Sequence, residues 1–72
     1  MPNSVKLRKV LDALRKLGFK EIRQKGSHVF LEHADGRATV VPMHKGIKIG
    51  LLLKIIKQDL KMSKEEFFKL LE

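Results

Sequence analysis

Cysteine is absent from the chain, so neither disulfides nor thiolate metal sites can staple it, and nothing in the sequence speaks for an oxidising compartment. No segment approaches the roughly 20 consecutive apolar residues that span a bilayer. The opening stretch MPNSVKLRKVL has no long apolar run either, so a soluble, cytoplasmic protein that makes no membrane contact is expected. Nothing like a nucleophile elbow is present. The segment Gly46–Gly50, GIKIG, lacks the Lys-Ser/Thr ending of a phosphate-binding loop, which removes nucleotide hydrolysis from consideration. The acids Asp12, Glu21, Glu32 and Asp35 form no evident pair for glycoside chemistry.

Negative charge is scarce as well. Eight acidic residues stand against sixteen Lys and Arg, a net charge of +8. The excess is concentrated at the start: within residues 1–25, Lys6, Arg8, Lys9, Arg15, Lys16, Lys20, Arg23 and Lys25 face only Asp12 and Glu21. Such a field attracts a polyanion, with binding that weakens as salt rises. A lysine-rich surface that merely keeps a small protein in solution has the same composition, so charge alone does not choose.

Seventy-two residues are near the lower size at which a single hydrophobic core offsets chain entropy, and one domain over residues 1–72 is expected. Leu7, Val10, Leu11, Leu14 and Leu17 recur at helical spacing within Val5–Leu17, with Ser4 as N-cap and Gly18 as the left-handed C-terminal residue. A short strand over FKEIRQK then meets a Gly26-Ser27 turn. HVFLEH and RATVV read as two further strands joined at Asp35-Gly36, with Pro42 ending the last.

A two-residue turn there would pair Ala34 with Arg37, Leu31 with Val40, Phe30 with Val41 and His28 with Met43. Val29, Leu31 and Val40 would then face the helices. His28, Phe30, Glu32, Thr39 and Val41 would share the open face. A loop from Met43 leads to a second helix over 51–60, started by Gly50, with Leu52, Leu53, Ile56 and Leu60 on one side. Ser63 and Glu66 make a capping box for a third helix, with Met62 and Phe67 as its hydrophobic staple. The expected fold is α+β: a helix, a three-stranded antiparallel sheet and two helices, with the helices on one face.

His28 and His33 are five apart and fall on opposite faces of a regular strand, and His28 and Glu32 are separated by roughly 13 Å. No recognised ligand spacing is present, so no metal or other cofactor is expected. His28 itself is either a polar residue on the wet side of a sheet or a proton-transfer group. Imidazole can accept a proton from one oxygen and donate one to another near neutral pH. RNA offers such a reaction, because its 2′-hydroxyl attacks the adjacent phosphate once a base removes its proton.

In their order and spacing, Leu17-Gly18-Phe19, Lys25-Gly26-Ser27-His28, Val41-Pro42-Met43-His44, Gly50-Leu51-Leu52 and Ser63-Lys64-Glu65-Glu66-Phe67 resemble the HicA (YcfA-like) toxins of toxin–antitoxin pairs over about residues 5–68. The resemblance implies a fold like that of a double-stranded RNA-binding domain, mRNA cleavage as an endoribonuclease, and inhibition by a HicB antitoxin. It implies His28 as the catalytic histidine, Gly26 and Ser27 as a turn that approaches a phosphate, and His44 as either an RNA contact or a loop anchor. Lys25, Arg23 and Lys45 are the candidate phosphate-binding cations beside them.

The free toxin is expected to be a monomer. Leu51 departs from the family's usual Thr at the second helix start, so no RNA contact by that hydroxyl carries over. A non-catalytic module that binds duplex RNA by shape is the alternative. Phe30 either packs, meets a partner or stacks on a base.

Overall fold

The computed structural model describes residues 3–72. Its chain enters through a strand rather than a helix. β1 (Ser4–Lys6) pairs antiparallel with a second three-residue segment, Gly46–Lys48, placing Ser4 opposite Lys48, Val5 opposite Ile47 and Lys6 opposite Gly46. The ribbon is extended at both ends by backbone bonds, from the Leu7 N–H to the Lys45 carbonyl and from the Ile49 N–H to the Asn3 carbonyl, each 3.0 Å.

The expected helix start at Val5 is corrected accordingly: α1 runs Leu7–Leu17 with Lys6 in the N-cap position and no side-chain cap. Ser4 is not a cap. It lies against Gly46, where a Cβ would come within 2.8 Å of its Oγ. α1 buries Val10, Leu11, Ala13 and Leu14 and ends, as expected, at Gly18 with φ 102°.

β2 (Lys20–Lys25), β3 (His28–Glu32) and β4 (Ala38–Pro42) form an antiparallel sheet in the order β2-β3-β4. Lys25 stands opposite His28, so Gly26-Ser27 is a two-residue turn, with Gly26 at φ 57°. β2 carries a bulge at Ile22: Glu21 faces Leu31 and Arg23 faces Phe30, which leaves one residue over. Every residue of β2 is exposed, so neither of its faces carries an apolar row, which is why the segment alternates poorly in the sequence.

The second hairpin differs from expectation by one residue. His33 and Arg37 close it, with the His33 N–H bonded to the Arg37 carbonyl at 2.8 Å and the Gly36 N–H to the His33 carbonyl at 3.0 Å. The loop is therefore three residues, Ala34–Gly36, a turn followed by Gly36 at φ 99°. His28 faces Pro42 rather than Met43, Phe30 faces Val40, and Leu31 faces Thr39.

A one-residue slip exchanges the two faces of a strand. Thr39 and Val41 point into the core and Val40 points to solvent, the reverse of the sequence reading. The buried Thr39 hydroxyl is satisfied by donating to Asp59 Oδ2 at 2.8 Å.

β5 (Gly46–Lys48), in the segment expected to be a loop, leads directly into α2 (Ile49–Lys54), which continues as π-helical Ile55–Leu60. The helix thus begins two residues earlier than expected and its second half is wider. In i→i+5 winding Ile55 and Leu60 come onto one side. Leu52, Ile55, Ile56 and Leu60 are accordingly buried, whereas Leu53 is only half-buried. Lys61 ends the turn in the left-handed conformation at φ 53°.

α3 (Lys64–Lys69) begins at Ser63, whose Oγ accepts the Glu66 N–H at 3.1 Å, the N-cap half of the expected capping box. The core lies between the helices and one face of the sheet. Val29, Leu31 and Val41 meet Val10, Leu14, Phe19, Ile47, Ile56 and Phe67 there. The α+β arrangement with helices on one side is as expected, with the β1–β5 ribbon added to it.

Candidate functional site

The alternation of β3 is set by its own apolar residues. Val29 and Leu31 are buried, so His28, Phe30 and Glu32 stand on the opposite, helix-free face. His28 is exposed, with Lys25 directly across on β2 and Pro42 across on β4. Cross-strand neighbours have Cβ atoms about 4.5–5.5 Å apart, so the Lys25 ammonium and the His28 imidazole share one patch. Arg23 and Phe30 form the next pair inward, with the guanidinium carbon 4.5 Å from the ring centroid. Gly26 and Ser27 close the patch at the strand ends. A Cβ added to Gly26 would meet nothing within 4 Å, so this turn is open to solvent.

The loop carrying His44 and Lys45 is fastened to the same end of the hairpin, because the Met43 N–H donates to the Ser27 carbonyl at 2.6 Å. Both side chains are exposed. Lys45 lies beside Lys6, Leu7 and Arg8 across the β1–β5 ribbon. The seven residues singled out in the sequence thus fall into two adjoining groups. Arg23, Lys25, Gly26, Ser27 and His28 are on the hairpin, and His44 and Lys45 are on the neighbouring loop. Lys6 and Arg8 join the second group through a strand pairing that no sequence pattern marked.

The other ionisable groups near the sheet hold the fold. His33 has both ring nitrogens engaged: Nε2 donates to the Leu17 carbonyl, which can only accept, at 2.9 Å, and Nδ1 lies 3.0 Å from both the Asp35 backbone nitrogen and Asp35 Oδ1. Its ring stands edge-on to Phe19, centroids 5.1 Å apart. The Arg37 N–H bonds the Asp35 carboxylate at 3.0 Å and holds it below the usual carboxylate range, helped by the Arg37 guanidinium at 2.8 Å.

Arg37 also donates to the Leu60 carbonyl at 2.6 Å. Arg15 ties α1 to β2 through Glu21 and also bonds Asp12 at 2.8 Å. The hydrogen bond to Glu21 raises its pKa further above the ordinary guanidinium value. Among the described residues no three of His, Asp and Glu converge in a way that could hold a metal ion, and no helix is long and apolar enough to cross a membrane.

The arrangement offers an exposed imidazole beside an ammonium, at the mouth of an open turn, with further cations within one or two residues. That set can exchange a proton and bind an anionic oxygen in one place. Comparison with known proteins bears on which anion. A family model described as HicA toxin of bacterial toxin-antitoxin matches residues 7–59, well over half of the chain. No curated protein matches.

Proposed function

The chain belongs to the HicA toxin family of bacterial toxin–antitoxin systems, and from that premise we propose that it is an endoribonuclease that cleaves mRNA with His28. The observation that carries the reading is the exposed His28 directly opposite Lys25 on the helix-free face. In this reading His28 takes the proton of a 2′-hydroxyl, whose oxygen then attacks the adjacent phosphorus. The bond to the 5′-oxygen breaks, and that oxygen leaves with a proton supplied by a second group. The products are a 2′,3′-cyclic phosphate and a 5′-hydroxyl, and no metal takes part.

Lys25 is placed to offset the charge that develops on the non-bridging oxygens. Gly26 and Ser27 let backbone approach the phosphate, and Lys45 and His44 meet the chain beyond it. Arg23, engaged on Phe30, serves the nucleotide next to the scissile phosphate. The antitoxin in this reading is of the HicB type and covers the same face. The exposed Ile22 and Val40 beside the basic residues suit an acidic partner with an apolar centre.

Replacing His28 by Ala tests the assignment. The variant should lose about 10²- to 10⁴-fold in cleavage rate, the usual worth of a positioned acid–base group. Its melting temperature and RNA affinity should change little, because the side chain is exposed. Wild-type cleavage by this variant would remove His28 from the mechanism. RNA left intact by the wild-type protein, with a salt-dependent gel shift, would make the chain a binding module instead.

A further inference from the structure

Resting on the reading of RNA as substrate, we infer that Arg23 and Phe30, with the hollow beside them, form a subsite for one unpaired nucleobase next to the scissile phosphate. Phe30 is half-buried and lines an open hollow of about 240 Å³, with Ile22, Ala38 and Val40 as further apolar lining and Glu32 and Asp59 as its acids. Phe30 faces Val40, which is 38% exposed, so an aromatic and an aliphatic side chain stand side by side on the open face. The bulge at Ile22 adds a second wall, because the extra residue turns a large apolar side chain, 51% exposed, onto an edge strand otherwise made of charged and amide residues.

Three features select the occupant. The first is a stack already half made, since the Arg23 guanidinium lies over the Phe30 ring and both are flat surfaces on which bases stack. The second is charge: Lys20, Arg23 and Lys25 of β2 border the hollow and outnumber the two acids that line it, Glu32 and Asp59, so a planar group tethered to phosphates held by those cations fits better than a neutral ligand. The third is spacing. Phe30 is two residues along β3 from His28, about 7 Å, so one nucleotide spans from the hollow to the imidazole. An acidic peptide would use the cations but has no call on the stacked pair.

The subsite also requires the substrate to be single-stranded at that point, because a paired base cannot leave its stack to enter the hollow. The test uses His28→Ala protein, which keeps RNA uncut, and a short mixed-sequence single-stranded oligoribonucleotide containing 2-aminopurine, whose fluorescence falls on stacking. Phe30→Leu keeps apolar volume and removes the ring, and Arg23→Gln removes the upper layer without touching the core. Phe30→Leu should raise Kd about 5- to 100-fold and abolish the fluorescence loss on binding, with a smaller effect from Arg23→Gln. In protein that retains His28, the same changes should raise KM and leave kcat nearly unchanged.

Unchanged Kd and unchanged quenching in both variants would overturn the subsite. So would a loss confined to antitoxin binding with RNA affinity intact, which would make the face a partner surface. His28-dependent cleavage would survive either result. Absence of RNA binding and cleavage by the wild-type protein would instead remove the underlying reading.

Discussion

Substituting Gly18 by Ala should destabilise the protein by more than the backbone conformation alone explains. Gly18 has φ 102° and Gly36 has φ 99°, so a side chain meets nearly the same conformational penalty at both, about 1–2 kcal/mol. Their surroundings differ. A Cβ at Gly36 meets nothing within 4 Å, whereas at Gly18 it comes to 3.0 Å from His33 Nε2. That nitrogen is the one that donates to the Leu17 carbonyl at 2.9 Å, and the ring is held on its other side by the Asp35 N–H.

Relief of the contact therefore lengthens a partly buried hydrogen bond, worth about 0.5–1.5 kcal/mol. Gly18→Ala should cost about 1.5–3.5 kcal/mol in total and Gly36→Ala about 1–2. For a domain of this size the difference is about 4–8 °C in melting temperature per kcal/mol. Thermal and urea unfolding of the two variants, followed by circular dichroism, reads it directly. In a His33→Ala background the excess should vanish and Gly18→Ala should fall to the cost of Gly36→Ala. Equal destabilisation of the two glycine variants in the wild-type background would refute the His33 argument.

Two further outcomes follow from charge. Asp35 has its carboxyl held low in the folded protein by the Arg37 N–H, so its contribution is complete above its unfolded value of about 3.9 and is lost as pH falls through the lower folded value. Asp35→Asn should therefore lower the melting temperature at neutral pH and flatten the acid limb of its profile below about pH 4, where the wild-type protein loses the same contribution; an unaltered acid limb would contradict it. On the RNA reading, Lys6→Glu and Lys45→Glu should each weaken RNA binding similarly for all sequences and reduce the slope of log K against log salt by about 1. A filter-binding salt titration that leaves the slope unchanged would place these lysines outside the RNA path.

What was legible in the sequence depended on how much chain each feature used. α1 and the Ser63 cap of α3 declare themselves over several residues; the helix is present, and Ser63 Oγ accepts the Glu66 N–H. The β1–β5 ribbon uses three residues a side, too few for alternation to register, and Val5 also fits the helical stripe that follows it. Asp35-Gly36 marked a hairpin correctly, but a glycine in the left-handed region serves a three-residue loop as well as a two-residue one.

That ambiguity inverted β4. The tertiary partner that makes Thr39 an inward residue, Asp59, lies 20 positions away, where no local pattern reaches. His28 escaped the error because its face is set by Val29 and Leu31 on its own strand. The cation pair of Arg23 with Phe30 depends on the Ile22 bulge, which no pattern in FKEIRQK marks.

The hairpin β3–β4 carries its stabilising contacts and its candidate chemistry at opposite ends. At the Asp35-Gly36 end, His33 bonds the Leu17 carbonyl at the end of α1, Arg37 bonds the Leu60 carbonyl, and Thr39 bonds Asp59, so the loop is tied to two helices. At the other end, among the described residues, the Gly26-Ser27 turn is fastened beyond its own β2–β3 pairing by the Met43 N–H, and Lys25, His28, His44 and Lys45 are all exposed. In a chain of this size the small margin of stability leaves little room for polar groups that contribute nothing to packing. Placing them some five residues of strand, roughly 16 Å, from the clamps separates the two demands. On the endoribonuclease reading the consequence is a sharp division among variants: changes at Gly18, His33 or Asp35 should lower stability while the surviving folded protein keeps its full rate per molecule, and changes at His28 or Lys25 should lower the rate and leave stability nearly unchanged.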